Sequence, residues 1–183
     1  MATNITLNPS IVAQGNAWAL QIATGSAFTY VNAWPTTRAE LVLYNPASNT
    51  KSLIIDYAWM VDISTAAAAQ SKALLGQLVP SASATVPTND TNQLIVSLSG
   101  KTAYDGNATR AVAQTYATAN KWQLLGATNN VQSASVGAGL TVNLNGMYIV
   151  PPGAEFLLAG VASTAAGTAS IGVAWHELVL SVN

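Results

Sequence analysis

The 183-residue sequence contains no cysteine. That excludes a disulfide framework, a thiolate metal site and a cysteine nucleophile together. A single histidine, His176, rules out a histidine-rich metal site and any two-histidine mechanism. Charge is scarce as well: Asp, Glu, Lys and Arg make up 7% of the residues, against about 25% in soluble domains generally. The formal net charge is -1, and the six basic residues, Arg38, Lys51, Lys72, Lys101, Arg110 and Lys121, stand singly. A nucleic-acid footprint needs a basic stripe or cluster, so no nucleic-acid partner is expected. No run approaches the ~20 apolar residues of a membrane helix, and residues 1–6 lack the basic and apolar regions of a signal peptide. The expectation is a chain without a membrane partner that folds in a cytoplasm.

What the sequence does hold is small and neutral. Thirty-three alanines accompany many Ser, Thr, Asn and Gln residues, which favours close approach to neighbouring subunits over solubility maintained by charge. The same composition also suits an extracellular-type β protein solvated by hydroxyls and amides. The length fits one domain that buries roughly 70% of its unfolded surface.

The clearest periodicity runs over residues 52–64, where Leu53, Ile55, Tyr57, Trp59, Val61 and Ile63 alternate with Ile54, Asp56, Ala58, Met60 and Asp62. Period two predicts a strand with the first set on the core and Asp56 and Asp62 on the solvent side. Shorter alternations occur at Leu41 and Leu43, at Leu94, Val96 and Leu98, at Trp122 and Leu124, and at Leu140, Val142 and Leu144. Turn formers bound them: Asn45-Pro46, Asp105-Gly106-Asn107, Asn129-Asn130, Asn145-Gly146 and Pro151-Pro152-Gly153. Asn145-Gly146 suits a two-residue hairpin, because a type I′ turn needs positive φ at both central positions. Residues 65–79 read as a loop followed by a strand from about Ala73 to Val79. Near the C-terminus the apolar phase moves from odd (Ile171, Val173, Trp175) to even (Leu178, Leu180, Val182). A one-residue slip exchanges the faces of a strand, which predicts a β-bulge near His176-Glu177 or a strand serving two sheets. The pattern describes an all-β, single-domain antiparallel β-sandwich of jelly-roll type, with about eight strands and little helix. Residues 1–16 are a candidate extended arm and residues 17–183 the sandwich.

No pattern of catalytic residues stands out. His176-Glu177 matches part of a zincin motif, but Leu180 stands where the second histidine belongs. His176 is better read as a strand-edge histidine with a structural or interfacial hydrogen bond. No serine lies in a Gly-x-Ser-x-Gly elbow. Along one strand Asp56 and Asp62 stand about 20 Å apart, too far for paired acid-base work. Asp90-Thr91-Asn92 and Asp105-Gly106-Asn107 resemble fragments of calcium loops without the acidic spacing, and turn formation explains them. The sequons at Asn4, Asn89 and Asn107 are chance matches in a chain this rich in Asn and Thr. Trp59, Trp122 and Trp175 fall in apolar phase and read as core. Trp18 and Trp34, beside Gly and Pro, read either as exposed anchors or as loop tryptophans folded over the core.

In the C-terminal third, Ile149-Val150-Pro151-Pro152-Gly153-Ala154-Glu155-Phe156-Leu157-Leu158 is followed by Thr168-Ala169-Ser170-Ile171-Gly172-Val173-Ala174-Trp175-His176-Glu177-Leu178. These segments resemble jelly-roll or tumour-necrosis-factor-like virion structural proteins of tailed bacteriophages, in which a proline-glycine turn precedes a strand and a Trp-x-Glu strand closes the domain. The stretch from Leu43 through Asn45-Pro46 to Leu53 is similar to the loop entering a long strand in that group. The similarity covers about a third of the chain. It implies a non-enzymatic capsid decoration (cement) or fibre protein, commonly a homotrimer, without cofactor or metal. Its partners would be itself and the major capsid protein or another virion protein, in a virion assembled in the host cytoplasm. The alternative is a receptor- or glycan-binding module of a phage fibre or tail, or of a bacterial surface protein. The candidate interface or ligand-contact residues are Trp18, Trp34, Tyr104, Asp105, Asn107 and His176.

Overall fold

A computed structural model of the chain describes residues 12–22, 27–64, 70–81, 83–84, 93–106, 108–131 and 139–180. Residues 1–11 of the candidate arm fall outside them, as do residues 65–69, Asp90-Thr91-Asn92 and Asn107. The strands are β1 (Ala17–Ile22), β2 (Phe28–Thr29), β3 (Arg38–Tyr44), β4 (Ser52–Ser64), β5 (Gln70–Val79), β6 (Gln93–Ser97), β7 (Thr109–Thr115), β8 (Gln123–Val131), β9 (Gly139–Val150), β10 (Glu155–Ala162) and β11 (Thr168–Leu178). One sheet, A, has the order β6-β1-β11-β4-β9, with β2 also pairing β11; the other, B, has the order β7-β3-β10-β5-β8. Every strand pairing in both sheets is antiparallel.

Setting aside β2, β6 and β7 leaves two four-stranded sheets, β1-β11-β4-β9 and β3-β10-β5-β8. That is the jelly-roll order, in which successive strands alternate between sheets except for the middle pair, β5 and β8, and the first pairs with the last. The single-domain antiparallel sandwich expected from the sequence is therefore present, with eleven strands among the described residues rather than about eight. The extra pieces come mostly from one excursion. β5 and β8 are neighbours in sheet B, yet the chain between them adds β6 to the far edge of sheet A and β7 to the far edge of sheet B. It then returns across the outside of sheet B. Along this return strap, the Tyr116 and Asn120 amides bond the Thr37 and Thr36 carbonyls at 2.7 and 2.6 Å. The Trp122 indole donates to the Pro35 carbonyl at 2.6 Å, and the Lys121 amide to Gln77 Oε1 at 2.6 Å.

The strap explains why sheet B is apolar on both sides. Phe156 and Leu158 of β10 face the main core with Leu41, Leu43 and Leu74. Leu157, with Val42, Val79, Ala111 and Tyr116, forms a second cluster; Ala159 and Val161 form a third with Leu75, and Trp122 packs against both. All eight residues of β10 are consequently buried. Such a strand carries no alternation for period-two analysis to find. Trp122 lies just before β8, in the strap, instead of inside a strand of the core.

The main core is filled from sheet A by Trp18, Leu20 and Ile22 of β1, by Leu53, Ile55, Ala58 and Met60 of β4, and by Ile171, Val173 and Trp175 of β11. In β4 the inward parity changes from odd to even, and the ladder shows where. Ile55 pairs Trp175 and Tyr57 pairs Ala174, so Asp56 is an extra residue, a β-bulge. The irregularity expected near His176-Glu177 thus lies between Ala174 and Trp175, and the extra residue belongs to β4. β11 itself pairs regularly with β1, from Ala17 opposite His176 to Gln21 opposite Gly172. The bulge also corrects the reading of Trp59 and of two aspartates. Trp59 leaves the core and lies over Gly172, where a Cβ would meet its ring at 2.2 Å. Trp18 is core at 1% exposure, and Asp56 and Asp62, expected in solvent, are each 1% exposed.

Two turn readings change as well. Asn145 and Gly146 do have positive φ, 47° and 74°, but they sit inside β9. There residues 144–147 of β9 stand opposite Asp56 alone, because Tyr57 pairs Asn143 and Ile55 pairs Tyr148. The left-handed pair makes a bulge in an edge strand, which requires the same backbone angles as a type I′ turn. Asn129-Asn130 continues β8 instead of ending it. By contrast, Pro151-Pro152-Gly153 forms the β9–β10 turn, with Gly153 at φ 85°.

Candidate functional site: buried polar clusters and an open groove

Of the six residues singled out from the sequence, five are described, and the structure brings Trp18, Tyr104 and Asp105 together at one end of the sandwich. Trp18 and His176 are buried. Tyr104 is turned inward, its ring edge-on to Trp18 at 4.7 Å and to Trp175 at 6.3 Å between centroids. Asp105 is exposed and pairs with Lys101 at 2.6 Å, which holds its carboxyl below the usual range through the Lys101 hydrogen bond. Trp34 is 51% exposed. It precedes β3, whereas Tyr104 precedes β7, and these strands run antiparallel with Arg38 opposite Thr115 and Tyr44 opposite Thr109. A strand of that length separates the two aromatics by roughly 20 Å. Trp34 and Tyr104 therefore do not form one ligand platform.

His176 fulfils the structural part of its reading: Nδ1 lies 2.7 Å from Asp56 Oδ2. It is not at an edge, since β11 runs between β1 and β4. Periodicity could not foresee this pair, because only the bulge at Asp56 brings the carboxylate beside the imidazole.

Three other polar groups tie the sandwich together. At one end, Glu177 Oε1 accepts from the Tyr104 hydroxyl at 2.7 Å and the Trp175 indole at 3.4 Å, while Lys51 lies 3.9 Å from Oε2. The Tyr104 oxygen in turn accepts from the Ala108 amide at 2.8 Å. In the interior, Asp62 of β4 accepts from the Tyr30 hydroxyl at 2.7 Å and pairs with Lys72 of β5. Beside them is a cavity of about 50 Å³ lined by Tyr30, Met60, Asp62, Lys72, Thr128 and Leu140, among others. Under the strap, Tyr116 interacts with Glu155.

These arrangements raise the phenol pKa of Tyr30, Tyr104 and Tyr116, first because burial disfavours the phenolate and then because Asp62, Glu177 and Glu155 stand beside them. Burial also raises Tyr148. A folded pKa above the unfolded value gives stability that is complete below about pH 10 and is lost as pH climbs towards the folded value. Absorbance titration should show Tyr30, Tyr104 and Tyr116 ionising only together with alkaline unfolding. Normal titration of these three tyrosines at about pH 10 in folded protein would contradict this packing.

The outer surface of the described residues carries a large open groove. It has a volume of about 850 Å³ and runs between β5, the strap and β9, lined by Leu78, Pro80, Tyr116, Asn120, Met147 and Tyr148, with Lys121 the one charged residue among the described lining. Met147, pushed out by the Asn145-Gly146 bulge, is 73% exposed, and Leu124, next to the groove residue Gln123, is 55% exposed. Among the described residues, no group of three His, Asp or Glu side chains is placed to hold a metal ion.

No protein-family model matches the chain, and no curated protein matches it. Among solved structures, a chain in the cryo-EM structure of mud crab dicistrovirus aligns at 10% identity with a TM-score of 0.24, covering 97% of this chain and 76% of that one. A likeness at that level carries no argument, and the assignment of the fold rests on strand order and register.

Proposed function

We propose that this protein is a non-enzymatic structural component of a virion: a capsid decoration or cement protein that forms a homo-oligomer, most specifically a trimer, and binds the particle surface. The observation that carries the reading is the character of its skin. Trp34, Val96, Leu124, Met147 and Val179 are each more than half exposed, on a chain with only 7% charged residues. A nearly uncharged surface does little to keep copies apart, and apolar side chains beside an open groove suit contact with another protein. The jelly-roll order supports the reading as a framework that leaves loops and sheet edges free for contacts. The glycan-binding alternative loses support because Trp34 stands far from Tyr104 and Asp105.

Size-exclusion chromatography with light scattering should show an oligomer that persists when salt is raised, because apolar contacts, unlike surface ion pairs, are not screened. Met147→Lys or Leu124→Lys should shift it towards monomer without altering the thermal midpoint of the isolated subunit. A monomeric wild-type protein that also fails to bind virus particles would overturn the proposal.

A further inference from the structure

Lys72 and Asp62 form an ion pair inside the sandwich, 6% and 1% exposed, on adjacent strands in sequence that belong to opposite sheets. Keeping both charges there is expensive, since neither retains its hydration shell. The two carboxylate oxygens have different partners. Oδ1 accepts from the Tyr30 hydroxyl at 2.7 Å, and Oδ2 is the atom that Lys72 Nζ contacts. The Lys72 ammonium is also held over the Tyr30 ring, 5.5 Å from its centroid.

We propose that Lys72 and Asp62 condense to an intramolecular isopeptide bond. The ammonium passes a proton to Oδ2, and the freed amine lone pair attacks Asp62 Cγ. The Tyr30 hydroxyl bonds Oδ1 while negative charge gathers on it, as a preset donor does in other acyl transfers. A second proton moves from Nζ to Oδ2, the Cγ–Oδ2 bond breaks, and that oxygen departs as water. The ion pair, which carries three protons on nitrogen, becomes an amide with one and a water with two. No oxidant, reductant or co-reactant enters the balance. The neighbouring cavity of about 50 Å³ is large enough to receive the water. Both buried charges vanish, and Oδ1, as the amide oxygen, keeps its Tyr30 hydrogen bond. The product is a covalent tie between the two sheets.

The test is the intact mass of the full-length protein, purified and denatured. The expected mass is one water below that calculated from the sequence, with the full calculated mass in Lys72→Met and Asp62→Ala. Trypsin should no longer cleave after Lys72, leaving residues 52–101 as one peptide in which fragmentation locates the link between Lys72 and Asp62. Tyr30→Phe should slow the loss of water, seen as a mixture of the two masses that converts on incubation. Because the readout is made on denatured wild-type protein, it does not depend on the variants folding. A wild-type chain at its full calculated mass, cleaved normally after Lys72, would overturn the proposal.

Discussion

Replacing Asn45 by alanine is expected to cost about 3–5 kcal/mol of stability, because a single buried amide holds two loops in register. Asn45 is 0% exposed. Its Nδ2 donates to the Lys51 carbonyl at 2.9 Å and to the Val150 carbonyl at 2.8 Å. Its Oδ1 accepts from Asn49 Nδ2 at 2.7 Å. The backbone at the same residue bonds the Ala154 carbonyl and the Gly153 amide, at 3.0 and 2.7 Å. The turn entering β4 and the Pro151-Pro152-Gly153 turn entering β10 are therefore fastened to one another through one side chain. Truncation deprives two buried carbonyls of their donor, and each such loss costs about 1–3 kcal/mol. Asn45→Asp should fare no better, since a carboxylate has no proton to offer either carbonyl. Urea unfolding checks both variants: the midpoint should fall while the denaturant slope is unchanged. A loss below about 1 kcal/mol would show that the two loops hold their positions independently.

Trp175→Ala should be comparably damaging, at about 3–5 kcal/mol, because it opens a large cavity in a closely packed interior. Trp175 is fully buried. It reaches the main core, the Tyr104 ring that closes one end of the sandwich, and Glu177 through its indole N–H. Tyr104→Phe serves as the graded comparison. It keeps the ring against Trp18 and Trp175 but removes the hydroxyl that donates to Glu177 and accepts from the Ala108 amide, for about 1–3 kcal/mol. If packing dominates this end of the molecule, thermal midpoints should rank wild type above Tyr104→Phe above Trp175→Ala. Equal losses would instead mean that the Glu177 hydrogen bonds, common to both residues, carry the stability of the region.

The places where sequence and structure part company have physical causes. β4 was legible to its ends, because thirteen residues of alternating character admit few other readings. The facing of its side chains was legible only as far as Ile55. A bulge leaves no mark in a run where both parities are apolar, so Asp56 and Asp62 looked like the solvent side although both are buried. β10 was visible only through its resemblance to virion proteins, since a strand apolar on both faces is recognised by what covers it. That cover is the strap, more than thirty residues away in sequence. Asn145-Gly146 showed its backbone angles correctly, but local sequence does not distinguish a turn that reverses the chain from a bulge within an edge strand. Trp18 stayed between an exposed anchor and a core residue because Gly15 and Asn16 suggested irregular chain, whereas β1 begins immediately after them. The Lys72–Asp62 and His176–Asp56 pairs were beyond reach altogether. Each depends on register between strands, which pattern within a strand does not contain.

The partnership of β1 with β11 has a consequence for how the molecule is made. Trp18, Leu20 and Ile22 leave the ribosome well before the strand that shelters them. Until then a nascent chain presents an unmatched apolar ribbon, and contacts so distant along the polymer are slow to form. Termination within β11 would release a product whose opening strand has lost its main neighbour. Yield in the cell would then depend less on the finished molecule's stability than on survival through that interval.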